Sequence, residues 1–167
     1  RIVLSVAERL AGYVPVDISR DFLFRQAASL RREFPRIAIL PVAADFDRPF
    51  ELPRAVNALP RVGFFPGSTI GNFELDAAAE FLAHAGRILG RSAHFIVGVD
   101  LLKDAEVLHR AYNDAEGVTA RFNLNLLARI NRELGADFDL RAFEHHAFFN
   151  RGRSRIEMHL VSRKRQR

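Results

Sequence analysis

Phe64-Phe65-Pro66-Gly67-Ser68-Thr69-Ile70-Gly71-Asn72-Phe73 ends an apolar run that starts at Val62, and a helical pattern opens at Leu75. A buried strand that runs into a glycine-bearing loop and then a helix is the place where open α/β sheets bind ligands, outside the carboxyl ends of their strands. Gly67 and Gly71 permit backbone conformations and close approaches that a Cβ would obstruct. Asn72 adds an amide that both donates and accepts. The loop is therefore expected to form half of a small-molecule site.

The rest of the chain can support such a sheet. With 167 residues, 49% of them hydrophobic, it is long enough to bury a core as one domain, or one domain with a small appendage. It has no cysteine, which excludes disulfides, iron–sulfur clusters and thiolate zinc sites. No secretory signal is recognisable, and no apolar run nears the roughly 20 residues of a membrane helix, so a cytoplasmic protein is expected. The net charge of +5 comes from arginines dispersed along the chain, and only Arg163-Lys164-Arg165-Gln166-Arg167 forms a cluster. A solvated chain end explains that tail better than nucleic-acid binding does.

Residues 1–10 read as a helix with Ile2, Val3, Val6 and Leu10 on one face, beginning without a start signal, as if cut from something longer. Strands are expected at 13–16, 37–43, 61–65 and 94–99, and helices at 19–34 and 75–89. Ser19 is the expected N-cap, and Phe22, Leu23, Ala27 and Leu30 the apolar face, of the first of these helices. Residues 47–60 carry three prolines and form a connection. Alternation of this kind predicts βαβ units, a parallel sheet and right-handed crossovers. After Asp100 the pattern changes to helices at 103–112 and 117–134, the latter with Phe122, Leu126, Leu127 and Ile130 at core spacing. Two strands follow, at 143–149 and 154–161, joined by Asn150-Arg151-Gly152-Arg153 as a hairpin.

Three successive strands thus end in polar groups: Asp17, Asp45 and the Gly67–Asn72 loop. An acid at such a strand end can accept hydrogen bonds from ribose hydroxyls. Asp45 followed by Phe46 suits an adenine, the carboxylate meeting the amine and the ring forming an apolar wall. A nucleoside-type ligand follows, and NAD and S-adenosylmethionine fit equally well. Asp114 reads as a helix cap, Asn123 and Asn125 as surface positions, and Tyr112 as either half-buried core or a ligand contact. His145 and His146 are neighbours on a strand, so their rings point to opposite faces and do not share a metal. Zinc-protease, P-loop and α/β-hydrolase motifs are absent.

Tyr13-Val14-Pro15-Val16-Asp17-Ile18-Ser19, Ala44-Asp45-Phe46, Gly67-Ser68-Thr69-Ile70-Gly71-Asn72-Phe73, the run from Tyr112 to Asn125, and Ser154-Arg155-Ile156-Glu157-Met158 together resemble the histidine Nα-methyltransferases of ergothioneine biosynthesis. The resemblance spans essentially the whole chain. It implies a Rossmann-like class I methyltransferase sheet, lacking its first strand here, with an α+β substrate subdomain that contains the hairpin. Residues 1–102 would belong to the S-adenosylmethionine-binding part and 103–167 to the substrate-binding part. Asp17 would hold the cofactor's ribose, Asp45 and Phe46 its adenine, and the Gly67 backbone would lie between cofactor and substrate amine. Asn72 and Tyr112 would bind the amino acid's carboxylate and amine end and serve the reaction. Met158 would line its side-chain pocket, and no metal is expected.

The family's glycine-rich loop would precede Arg1, and the acid and hydroxyl residues that grip the imidazole would follow Arg167, making the chain the central piece of a longer enzyme. The substrate expected is L-histidine, although related members act on other amino acids or indolic amines. The competing expectation is a truncated, non-catalytic fragment or binding module, since a parallel sheet without its central strand exposes apolar edges.

Overall fold

The computed structural model describes residues 1–165; Gln166 and Arg167, the end of the basic tail, lie outside the described residues. The fold is mixed α/β and divides into two compact units, Arg1–Asp100 and Leu101–Arg167.

In the first unit, α1 (Ile2–Val6) is shorter than expected, and it buries Leu4 while Ile2, Val3 and Val6 stay exposed. The strand expected at 13–16 is two short pieces, β1 (Gly12–Tyr13) and β2 (Val16–Asp17). The one expected at 37–43 is likewise β3 (Ala38–Ile39) and β4 (Val42–Ala43). β1 pairs with β3 and β2 with β4, both parallel, in one unbroken register, Gly12 opposite Ala38 and Val16 opposite Val42. That register places Pro15 opposite Pro41, and neither has an N–H to donate, so the ladder is interrupted there. Pro15 still accepts through its carbonyl from the Val42 amide at 2.9 Å.

Between these strands runs α2 (Arg20–Glu33), with Leu23 and Ala27 buried. Ser19 stands at its N-cap, but its side chain makes no capping bond, and Phe22, expected on the buried face, is exposed. Arg31 clips the helix to β3 by donating to the Ile39 carbonyl at 2.7 Å.

The proline-rich connection holds only a 3-10 turn at Arg54–Val56. β5 (Val62–Phe65) then pairs in parallel with β6 (His94–Val97), and α3 (Leu75–Leu89) lies between them in sequence with the expected boundaries. Phe81 of α3 is buried at the centre of a ring cluster formed with Phe46, Phe65, Phe73 and Phe95, at centroid distances from 4.5 to 6.1 Å. Such pairs add about 0.5–1.5 kcal/mol each beyond the burial itself. The opposite face of the β5–β6 pair is bare: Val62, Phe64 and Ile96 are 60%, 53% and 54% exposed. Among the described residues the parallel strands form two-stranded ladders rather than the single sheet expected.

The second unit begins with α4 (Ala105–Tyr112), capped by the Asp104 carboxylate on the amides of Glu106 and Val107. It continues with α5 (Val118–Leu134), bounded by Gly117 and Gly135, both left-handed. β7 (Phe143–Asn150) and β8 (Arg155–Ser162) form the expected antiparallel hairpin, with Ala147 opposite Met158. The buried face of α5 differs from expectation: Leu127 is buried, whereas Phe122 and Leu126 are exposed. Asn123, which bonds to the hairpin, lies on one helix face with buried Leu127 and with Ile130, spaced i, i+4, i+7. Arg163, where the tail begins, is tied down by its amide on the Ala142 carbonyl (2.8 Å) and its guanidinium on Glu144 (3.1 Å). No helix among the described residues is long and apolar enough to cross a membrane.

Candidate functional site

Asp17 and Asp45 close the two neighbouring parallel strands, and the Ala44 amide donates to the Asp17 carbonyl at 3.2 Å. Each carboxylate makes the same local turn. Asp17 Oδ1 accepts from the Ser19 amide at 2.7 Å, and Asp45 Oδ1 from the Asp47 amide at 3.1 Å. Such turns fix the direction of the side chain and leave the second oxygen for another partner. For Asp45 that partner is the Arg48 guanidinium at 3.5 Å, a weak and exposed pair; Asp17 Oδ2 has none among the described residues. Asp17 also borders a cleft of about 320 Å³ lined in part by Tyr13, Pro15, Phe22 and Leu23. A second cleft, of about 370 Å³, is bounded by Arg61 and Gly90 and touches no candidate residue.

Phe46 brings the Asp45 strand end to the glycine loop. Its ring meets Phe65, which leads into the loop, at 5.5 Å and Phe73, which leaves it, at 6.4 Å. The ring is thus partly committed to the aromatic cluster, so only its remaining surface is available to a ligand.

The loop is held from β6. The Gly98 amide donates to the Phe65 carbonyl at 2.9 Å, and the Asp100 amide donates to Ser68 Oγ at 3.0 Å. Gly67 and Ser68 are both left-handed, at φ +75° and +56°, and a 3-10 turn at Thr69–Asn72 follows. A Cβ on Gly98 would lie 3.1 Å from the Gly67 nitrogen, so a side chain there would push the two backbone segments apart by a few tenths of an ångström. Asn72 is exposed, and its amide has no hydrogen-bond partner among the described residues. The loop therefore combines a fixed backbone with an uncommitted amide. Ser68, Gly98 and Asp100 are its supports, and strand-end reasoning had singled out none of the three for that role.

In the second unit Tyr112 is the last residue of α4 and half-buried, and its hydroxyl has no partner among the described residues. Asp114 is the helix cap it was expected to be. Its two carboxylate oxygens accept from the Val118 and Thr119 amides at 2.7 and 2.8 Å, which lowers its pKa to about 2. Asn123, expected at the surface, instead donates to the ring of His145 and to the His159 carbonyl, both at 3.0 Å. His145 and His146 do lie on opposite faces, His145 against Tyr112 and His146 against Phe148. Met158 stands opposite Ala147, on the hairpin face that His145 shares, so Tyr112 and Met158 address the same face.

Against known sequences, the model of the histidine-specific, S-adenosylmethionine-dependent methyltransferases matches residues 1–167. The chain belongs to this family. It is 44% identical over 164 residues to the histidine N-alpha-methyltransferase of Mycolicibacterium smegmatis and 43% identical over 159 residues to that of Mycobacterium tuberculosis. These matches take in 96% and 95% of this chain and 49% of each relative. Ergothioneine biosynthesis protein 1 of Neurospora crassa is 30% identical over 135 residues, 79% of this chain and 15% of that protein. The chain spans about half the length of the bacterial relatives it matches.

Proposed function

We propose that this chain is part of a cytoplasmic, S-adenosylmethionine-dependent N-methyltransferase that alkylates the α-amine of L-histidine on a Rossmann-like sheet. The observation that carries the proposal is the family match over the whole chain, together with 44% identity to a histidine N-alpha-methyltransferase. The residues present suit the methyl donor. Two carboxylates stand at adjacent parallel strand ends, one with an oxygen unengaged, and a glycine backbone is held close by Gly98.

When bound, S-adenosylmethionine supplies a methyl group already activated by a sulfonium, so the protein contributes chiefly alignment and exclusion of water. In the Arg1–Asp100 unit, Asp17 holds the ribose, Asp45 the adenine amine with Phe46 beside it, and the Gly67 backbone the reacting end. Asn72 grips the carboxylate and amine end of the amino acid. In the Leu101–Arg167 unit, Tyr112 contacts the amino acid and Met158 lines the side-chain pocket. An α-amine, with a pKa of about 7.7–8.0 even in a peptide, must shed a proton before it attacks. A water, or the Tyr112 hydroxyl passing its own proton to solvent as it takes up the amine's, is our candidate acceptor. Transfer of a labelled methyl group from S-adenosylmethionine to L-histidine tests the proposal, and labelling of other amino acids in its place would sink the substrate assignment.

A further inference from the structure

The end of α4 is fastened to β7 by side chains with no role in the chemistry above. Asn113 Nδ2 donates to the Ala147 carbonyl at 3.0 Å and, within its own helix, to the His109 carbonyl at 3.0 Å. One residue earlier, the Tyr112 carbonyl lies 2.8 Å from His145 Nε2. His145 and Ala147 alternate along β7 and so share a face, which gives Tyr112 and Asn113 two anchor points on one strand.

Asn123 decides how the His145 ring is used. The atom it presents to the His159 carbonyl must be its NH₂, because a carbonyl only accepts. The same NH₂ faces His145 Nδ1 at 3.0 Å, so Nδ1 must carry the lone pair. The ring proton then sits on Nε2, where it is donated to the Tyr112 carbonyl. The other tautomer would set two donors against each other at Asn123 and two acceptors against each other at Tyr112.

We propose that His145, fixed in its Nε2–H tautomer by Asn123 and the Tyr112 carbonyl, is a positioning residue that sets where Tyr112 presents its hydroxyl to the amino-acid substrate. The functional half of this statement rests on the reading of Tyr112 as a substrate contact; the tautomer half does not. A histidine that merely fills space would tolerate either tautomer. This one works in a single form, selected jointly by Asn123 on α5 and by the Tyr112 carbonyl.

Imidazole nitrogen NMR of the ¹⁵N-labelled chain reads the first half directly. The expected spectrum has His145 Nδ1 unprotonated and Nε2 protonated. Asn123→Ala, a change compatible with the α5 helix, is expected to keep Nε2–H through the Tyr112 carbonyl alone, and Asn113→Ala likewise leaves the tautomer unchanged. Titration with L-histidine reads the second half. Asn123→Ala is expected to weaken binding about fivefold, the scale of one lost hydrogen bond, with S-adenosylhomocysteine affinity unchanged. A protonated Nδ1 in the unaltered chain, or in Asn123→Ala where the Tyr112 carbonyl should still hold the proton on Nε2, overturns the proposal. So does unchanged L-histidine affinity in Asn123→Ala where Tyr112→Phe weakens it. If Tyr112→Phe itself leaves L-histidine binding intact, the contact reading of Tyr112 fails and takes the functional half with it, while the tautomer result stands on its own.

Discussion

The amide of Asp100, just past the end of β6, donates to the hydroxyl of Ser68 in the glycine loop at 3.0 Å. This bond crosses between parallel neighbours at the end where the candidate ligand groups gather, and it holds a serine in a left-handed conformation, φ +56°. Loop shape is thus set by β6 as well as by the loop's own glycines. Ser68→Ala is expected to weaken S-adenosylhomocysteine binding about fivefold, through loss of roughly 1 kcal/mol of ordering. Gly98→Ala should be worse, since its Cβ would meet backbone atoms of Gly67 and Pro66 at 3.1 and 3.3 Å. Calorimetric titration of both variants checks this; affinities equal to the unaltered chain would show the loop to be held by other means.

Asp114 links acidity to the start of α5. Its pKa is lowered from 3.8 to about 2, first by the bond from the Thr119 amide and also by that from the Val118 amide. A carboxyl whose pKa falls on folding contributes stability above its unfolded pKa and loses it as pH drops through the folded value. The first turn of α5 should therefore loosen between about pH 4 and pH 2. Hydrogen exchange at Val118 and Thr119 would report it. Asp114→Asn should remove this step in pH dependence, and a step that persists in the variant would assign it to another group.

Val62, Phe64 and Ile96 leave one face of the β5–β6 pair uncovered. Parallel sheets are ordinarily covered on both faces, and exposed apolar patches promote association. The isolated chain should self-associate with rising concentration, and Phe64→Glu with Ile96→Lys should reduce that tendency. Sedimentation velocity over a concentration series decides it. A monomer at all concentrations before any substitution would contradict the expectation.

Much of the fold was legible because local signals sufficed. Leu75–Leu89 stands between a glycine loop and Gly90, and Asn150-Arg151-Gly152-Arg153 leads into the turn of a hairpin whose register pairs Phe143 with Ser162. Asp114 could be read as a cap from its place before a helix. What was not legible depended on partners distant in sequence. Phe46 looked like a free wall for adenine until Phe65, Phe73 and Phe81 closed around it. Asn123 looked like a surface amide because its two partners lie 22 and 36 residues away. Helical spacing placed Phe122 and Leu126 in the core, yet the hairpin packs against the adjacent stripe of α5, which carries Asn123 and Leu127. In the strands, Pro15 and Pro41 were visible individually, but their position opposite each other was not.

Asn72 carries the central claim, because it separates an amino-acid site from a generic nucleotide crevice. Calorimetry on Asn72→Ala, titrated in turn with S-adenosylhomocysteine and with L-histidine, tests that claim most directly. The predicted result is L-histidine affinity reduced at least about tenfold, the equivalent of 1.4 kcal/mol, with S-adenosylhomocysteine affinity unchanged. Equal loss of both ligands, or loss of S-adenosylhomocysteine alone, would contradict it.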